Sequence, residues 1–226
     1  MPLVIALACL LCHRCAIGPA PCAKVNPSVN SIQMPERIEI PLEQLEIQPF
    51  HLWSARWFLL AAGELPAQGA PAPAAEAQPS FNFMTVSWGG LGFLWNKPFA
   101  LVVVRPTRYT RQFIDQASSW TLSVLPEAYR RALNYAGSRS GREGDKARAC
   151  GLTPHASRHV AAPSFAEAEL VLECRKSYFA DLDPAHFLDE SIPSHYPSRD
   201  YHRLYIGEVL AASGTAEWVR RGEGPA

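Results

Sequence analysis

The most distinctive stretch of the sequence combines hydroxyl side chains, a tryptophan and glycines at residues 82–92, which read NFMTVSWGGLG. Thr85 and Ser87 lie two positions apart, so on a strand their side chains face the same side. Trp88 is followed by glycines at positions 89, 90 and 92. Glycines let backbone N–H groups approach a flat or anionic ligand closely, because no Cβ intervenes. Glycines also mark β-bulges and barrel corners, so this stretch alone fits a ligand site and a structural bend equally well.

A second candidate for ligand binding is the segment 105–110, which reads RPTRYT and follows an apolar run. Guanidinium groups, hydroxyls and the free N–H groups of a helix start are the groups that hold a phosphate dianion. A capped helix with surface arginines is the structural alternative. The segment 138–146, SRSGREGDK, again combines hydroxyls, glycines and cations. Together the two segments indicate a site for a small anionic ligand.

Several other kinds of chemistry find no support in the sequence. It lacks the glycine–lysine–hydroxyl order of the P-loop, the Rossmann glycine fingerprint and the GxSxG nucleophile elbow. His155 and His159 have the spacing of helical metal ligands, but Pro154 predicts a loop there, so we expect no metal site. Lysine and arginine number 21, as do aspartate and glutamate, which leaves no cation surplus for general nucleic-acid binding.

Residues 1–33 differ from the rest of the chain, since they hold four of the six cysteines and no acidic residue. Their apolar run at 3–11 is too short to cross a bilayer, and no basic residue precedes it as in a signal peptide. Cys9, Cys12 and Cys15 have part of the ferredoxin spacing, but Cys22 lies seven residues further on instead of three. We therefore expect residues 1–33 to be a disordered leader or an artefact of start-site assignment, with translation beginning at Met34.

From Met34 onward the sequence predicts many short strands and few helices. Apolar or β-branched runs typical of strands lie at 56–63, 81–87, 99–105, 120–125, 168–178 and 201–210. Helices are predicted at 107–116 and 127–136, and the alanine- and proline-rich residues 65–80 predict a long hairpin loop. No βαβ regularity or repeat appears, which indicates a small antiparallel barrel with peripheral helices. We expect this domain over 34–213, followed by a C-terminal tail at 214–226.

These motifs, in this order, resemble the flavin-reductase-like, FMN-binding split-barrel family, and in particular its flavoredoxin-like branch. The matching motifs are MTVSWGGLG, WNKP, VRPTRYT, ALNY, SGR with DK, GLTP and DYHRLYIGEV, from residue 84 to residue 209. The resemblance covers roughly residues 55–210. It implies a mainly β, antiparallel six-stranded split β-barrel that forms a homodimer with FMN near the interface. It also implies reduction of the FMN by NADH or NADPH, or by a partner redox protein.

The resemblance also implies roles for particular residues. The isoalloxazine ring and ribityl chain would be lined by Met84, Thr85, Val86, Ser87 and Trp88. The phosphate and ribityl side would be formed by Arg105, Thr107, Tyr109 and Thr110, together with Ser140, Gly141 and Lys146. His202 would lie near the nicotinamide as the catalytic candidate, although the segment here reads Asp-Tyr-His where related reductases have Gly-Asp-His. Two further departures are the long insert at 65–80 and Ala136, where the branch often has cysteine.

Three functional hypotheses follow. The first is an NAD(P)H-dependent flavin oxidoreductase, and the second is a flavoredoxin-like electron carrier that a partner protein reduces. The third is a flavin-free barrel that acts as a binding module, which the complete set of hydroxyls and arginines at 105–110 disfavours. The two remaining cysteines, Cys150 and Cys174, are widely spaced and fit buried thiols in a reducing cytoplasm.

Overall fold

The computed structural model describes residues 34–66 and 79–220. The strands are β1 (Ile38–Ile40), β2 (Phe58–Gly63), β3 (Phe81–Val86), β4 (Gly89–Leu94), β5 (Lys97–Val104), β6 (Ser119–Val124), β7 (Pro154–His155), β8 (Ser164–Phe165), β9 (Leu170–Asp181) and β10 (Arg203–Gly214). The α-helices are α1 (Pro49–His51), α2 (Thr110–Gln116), α3 (Arg130–Ser138) and α4 (Lys146–Cys150), and a π-helical turn at Leu52–Arg56 follows α1. Shorter 3₁₀ turns lie at Leu42–Gln44, Glu127–Tyr129, Gly141–Glu143, Pro184–His186, Ile192–His195 and Ala216–Trp218. The expectations for residues 1–33 and for most of the loop at 65–80 fall outside the described residues.

One antiparallel sheet contains most of the strands, in the order β3-β2-β6-β9-β10-β5-β4, and β1 adds to β10. The mainly antiparallel fold with peripheral helices is therefore confirmed. The two ends of this order, β3 and β4, are separated in the chain only by Ser87 and Trp88. The short link brings the ends of the sheet close together, and β3 and β4 each pair with a single neighbour among the described strands.

The sheet buries apolar side chains on both of its faces, which explains the unbroken apolar run of β2. Side chains alternate along a strand, so Phe58 and Leu60 enter the interior cluster, which also contains Trp120. Leu59 and Ala61 enter a second cluster on the opposite face, beneath α3 and α4. The helix α3 therefore covers the outer face of β2 and β3, next to the segment that the sequence singled out.

Both predicted helices exist with shifted boundaries. The first begins at Thr110 instead of Thr107, because residues 105–108 form a turn in which Arg108 N–H donates to the carbonyl of Arg105 at 3.1 Å. The second predicted helix corresponds to α3, which begins at Arg130 after a 3₁₀ turn and continues through Gly137 to Ser138.

The first part of the predicted C-terminal tail packs against the sheet. Trp218 is buried, and Val219 forms a β-bridge with Leu45. No helix in the described part of the chain is long and apolar enough to cross a membrane.

Gly207 offers a test of how tightly the interior is packed. A Cβ at this position would lie 2.6 Å from the ring of Trp120, which is fully buried and has no room to retreat. We expect Gly207→Ala to lower the free energy of unfolding by about 1–3 kcal/mol, the usual cost of overpacking. Urea denaturation measures the change.

Gly90→Ala is the matched control, because a Cβ at Gly90 meets no atom within 4 Å. It should change the free energy of unfolding by less than about 0.5 kcal/mol. An equal loss of unfolding free energy in the two variants would contradict the close packing of Gly207 against Trp120.

Candidate functional site

Two adjoining cavities lie beside β3 and share Met84 and Arg108 as lining residues. The larger has a volume of about 310 Å³ and is lined by Met84, Thr85, Val86, Ser87, Trp88, Arg105 and His202 among the predicted residues. The smaller has a volume of about 130 Å³ and is lined by Met84, Thr107, Tyr109, Thr110, Ser140, Gly141 and Lys146 among them. Every predicted site residue thus lines one of these two cavities. Their contacts with a cofactor stay predictions.

The open edge of β3 forms one wall of this site. β3 pairs only with β2 among the described strands, and the carbonyl of Phe83 accepts a hydrogen bond of 2.6 Å from Lys146 Nζ instead of from a strand. Main-chain groups alternate in direction along a strand, so those of Thr85 face the same open edge as those of Phe83. Their N–H and C=O groups are therefore directed away from β2 and toward the cavity side.

The smaller cavity is shaped by close packing between β3, α2 and the loop after α3. Asn82 is buried on β3 and donates from Nδ2 to Thr110 Oγ1 at 3.0 Å. Gly141 approaches the Asn82 amide so closely that any Cβ would collide with it. Thr85 contacts α3, since its Oγ1 donates to the carbonyl of Leu133 at 2.5 Å. These contacts hold three separate chain segments around one small volume.

The smaller cavity is also crowded with positive charge. Three cations line it, namely Arg108, Arg139 and Lys146, and Glu143, which lies 3.8 Å from Arg139, is the acidic residue among its lining residues. Burial and, to a lesser extent, repulsion from Arg108 lower the pKa of Lys146 to about 8. Burial, with repulsion from Arg105, lowers the pKa of Arg108 as well. An anion in this cavity would relieve both repulsions, so the electrostatics favour a negatively charged group.

Arg105 lines the larger cavity but not the smaller one, which contains Lys146 and most of the hydroxyl side chains. Its Nη1 donates to both carboxylate oxygens of Asp200, at 3.0 and 2.8 Å, and its Nη2 donates to the carbonyl of His195 at 2.7 Å. The guanidinium also lies 5.1 Å from the centre of the Tyr196 ring. Arg105 therefore anchors the segment that leads into β10, and its assignment to the phosphate side stays a prediction that this pairing disfavours.

His202 lies at the mouth of the larger cavity beside Trp88. The two ring centres are 5.2 Å apart, and the Tyr196 hydroxyl contacts His202 Nδ1 at 2.8 Å. Burial and, to a lesser extent, the charge of Arg105 lower the pKa of His202 to about 4, although Asp200 opposes them. His202 is therefore neutral at neutral pH and is a poor proton donor there.

Sequence reasoning missed several residues that line the site. Arg108, Asn82 and Gly137 were within or beside the motifs, but no role was assigned to them. Arg108 differs from Arg105 only in its position in the turn, and its Nη2 donates to the carbonyl of Gly137 at 2.5 Å. Tyr196 carried no sequence signal, because its contact with His202 depends on how the loop before β10 folds back.

The arrangement suits a ligand with two chemically different ends. The larger cavity offers an aromatic side chain, apolar side chains and an open strand edge, which suit a flat polar ring. The smaller cavity offers cations and hydroxyls, which suit a phosphate. Among the described residues, no group of three or more histidine, cysteine, aspartate or glutamate residues is placed to hold a metal ion.

Several solved structures are similar to this chain in fold. An FMN-binding domain of a flavin reductase-like enzyme from Shewanella baltica is 18% identical, with 85% of this chain and 84% of that chain covered and a TM-score of 0.57. Flavoredoxin of Desulfovibrio vulgaris is 22% identical, with coverages of 81% and 79% and a TM-score of 0.53. Nitrilotriacetate monooxygenase component B from Bacillus cereus is 17% identical, with coverages of 80% and 78% and a TM-score of 0.52. The split-barrel fold expected from the motifs is confirmed.

The sequence itself matches a family over most of its length. Residues 71–222 match the family described as Flavin reductase like domain, whereas no curated protein matches the chain. The matched range contains β3, both cavities and every predicted site residue. This chain therefore belongs to the flavin reductase like family.

Proposed function

We propose that this protein binds FMN in the two adjoining cavities and acts as an NAD(P)H-dependent flavin oxidoreductase. The observation that carries the proposal is the division of the site into a ring-sized cavity and a small cationic cavity that share Met84 and Arg108. A mononucleotide has these two ends, and the smaller cavity contains cations for one phosphate. Family membership and the similar FMN-binding domain from Shewanella baltica support the same cofactor.

Particular residues of this chain would hold each part of the cofactor. Arg108, Lys146 and the hydroxyl of Ser140 would bind the phosphate, while the open edge of β3 at Thr85 would donate to polar atoms of the ring. Trp88 would shield the ring from water at the cavity mouth. When bound, FMN supplies the hydride and electron transfer chemistry, which the protein supports by binding and orientation.

Arg108→Ala tests the phosphate site. We expect it to weaken FMN binding by about 1.5–3 kcal/mol, because a charge-assisted hydrogen bond in a half-buried site is lost. Arg105→Ala should weaken binding less, since Asp200 already pairs with Arg105. Fluorescence quenching of FMN measures the dissociation constants.

Arg131→Ala is the matched control, because Arg131 is an exposed arginine on α3 and lines neither cavity. It should leave FMN affinity unchanged. A larger loss for Arg105→Ala than for Arg108→Ala would move the phosphate to the Arg105 side of the site.

Anaerobic reduction tests the activity itself. Protein loaded with FMN should lose its visible flavin absorbance when NADH or NADPH is added, and comparison of the two nucleotides gives the preference. A colourless protein that does not quench FMN fluorescence would contradict the proposed cofactor. FMN that binds but is reduced only by a partner redox protein would instead support the flavoredoxin-like carrier.

We also propose that the protein is a homodimer. An aromatic patch is exposed beside the edge strand β4, with Phe93 70% and Trp95 58% exposed and Tyr178 6.3 Å from Trp95. Unpaired strand edges and exposed aromatic side chains are typical of surfaces that a partner covers. Sedimentation should give a dimer at micromolar concentration, and Trp95→Glu should shift it toward the monomer. A monomeric parent protein would contradict the proposal.

The proposed location is the cytoplasm. Cys150 and Cys174 are both buried. Buried thiols of this kind suit a reducing compartment.

A further inference from the structure

Another cavity of the fold, named here the Trp218 cavity after one of its lining residues, has no role in holding the cofactor. Its volume is about 220 Å³, and none of its described lining residues belongs to the two cavities proposed for FMN. The walls come from the segment 46–56 and from Glu217 and Trp218. This volume is below the range of about 300–1,000 Å³ that is typical for drug-sized ligands, so a molecule with a single ring suits it.

The two segments around the Trp218 cavity are held in place by hydrogen bonds and an ion pair. The N–H of Glu46 donates to the carbonyl of Trp218 at 2.9 Å, which joins one segment to the other. Arg56 Nη2 donates to the carbonyl of Leu125 at 3.1 Å and pairs with Glu169. Leu125 follows β6 and Glu169 precedes β9, so the sheet fixes the end of the longer segment.

The buried part of the lining is apolar apart from one N–H group. Leu52 and Trp218 are 2% and 8% exposed and belong to the interior cluster, and Ile47 packs against the same cluster. These side chains suit the ring of a ligand. Trp218 Nε1 is buried and has no hydrogen-bond partner among the described residues. A buried donor without an acceptor costs free energy, so an oxygen atom that a ligand brings to the indole would stabilise the site.

The exposed part of the lining carries a surplus of negative charge. Glu46 and Glu217 are exposed, and neither forms an ion pair with a described residue. Arg56 also lines the cavity, but its charge is compensated by Glu169. Burial raises the pKa of Glu169, Arg56 opposes this effect, and the negative charge of Glu217 adds to the rise. Two uncompensated carboxylates beside an apolar wall suit an ammonium group.

We propose that the Trp218 cavity is a second binding site, which takes a small aromatic amine that also carries a hydroxyl group. Glu46 and Glu217 bind the ammonium group, and the apolar wall packs against the ring. The hydroxyl oxygen accepts a hydrogen bond from Trp218 Nε1 after a small rotation of the indole. Since this site shares no residue with the proposed FMN site, the two ligands bind together and neither changes the affinity for the other.

Tyramine is the probe, because it combines an ammonium group, a single ring and a hydroxyl group. At about pH 8 its ammonium group is charged, whereas a histidine such as that of the lining is ordinarily neutral. Nitrogen-15 NMR of the full chain follows the indole N–H signals, and Trp218→Phe assigns one of them by its disappearance. We expect tyramine to shift the Trp218 signal saturably, because Nε1–H gains an acceptor, equally with and without FMN.

The two glutamates are tested by substitutions that remove only the charge. Glu46→Gln and Glu217→Gln should each weaken tyramine binding about 2- to 5-fold, the range for a solvent-exposed ion pair. Glu43→Gln is the matched control, because Glu43 is exposed nearby in the chain and does not line the cavity. Isothermal titration calorimetry measures the affinities. Equal affinity in the parent chain and in both cavity variants would overturn the proposal.

Related probes test the hydroxyl group and the sign of the charge. Phenethylamine lacks the hydroxyl and should bind about 2- to 10-fold more weakly than tyramine, a difference typical of one hydrogen bond. Trp218→Phe should abolish this preference, because the donor is lost. The anion 4-hydroxyphenylacetate should bind more weakly than both amines.

Three results would overturn the assignment of this ligand. They are the absence of a saturable shift with tyramine at millimolar concentration, tighter binding of 4-hydroxyphenylacetate than of tyramine, and an undiminished preference for tyramine in Trp218→Phe. If Trp218→Phe does not fold, the glutamate variants and the anionic probe still decide the question, because calorimetry needs no assignment of signals. Failure of the protein to bind FMN would leave all of these results standing.

Discussion

The open edge of β3 is the constraint on which the site depends. A strand that pairs along one side only leaves N–H and C=O groups that need partners, and a buried group without one is costly. One such group, the Phe83 carbonyl, accepts from Lys146 Nζ, which brings the start of α4 to the strand. The same lysine donates to the carbonyl of Arg139 at 3.1 Å, so the loop after α3 is drawn in as well. Satisfying part of the edge thus builds the cationic cavity, while the rest of the edge stays available to a ligand.

The distribution of charge then gives the site its two different ends. Arg105 is compensated by Asp200, whereas repulsion from Arg108 lowers the pKa of Lys146, and Cys150 and Glu143 oppose this only in part. The pKa of Lys146 is lowered to about 8 mainly because burial removes water from its charged ammonium group. A bound anion would raise that pKa again, so cofactor binding and protonation of Lys146 should reinforce each other. The surroundings of His202, by contrast, would not be stabilised by an anion, because Arg105 is already paired with Asp200.

Local patterns were enough to find the strands and the site, because both depend on neighbours in sequence. The apolar run of β2 and the hydroxyl and glycine run at the end of β3 are both recognisable from consecutive residues. The start of α2 at Thr110 and the different roles of Arg105 and Arg108 could not be predicted in this way. They depend on Asp200 and Gly137, which lie 95 and 29 residues away from those arginines. Tyr196 is a similar case, since only the folded loop before β10 brings its ring under Arg105.

The loop before β10 connects Arg105 with His202. Arg105 closes the end of β5 and, through Asp200 and the carbonyl of His195, fixes the loop that carries Tyr196. Burial lowers the pKa of His202, and the charge of the same guanidinium adds to this effect, so the imidazole stays neutral. One arginine therefore fixes the loop that carries the tyrosine and also favours the neutral state of the histidine. Substitution of Arg105 would disturb the surroundings of His202 even if the phosphate lies at Arg108. A variant such as Arg105→Lys, which keeps the positive charge, separates the effect of the charge from that of the guanidinium contacts.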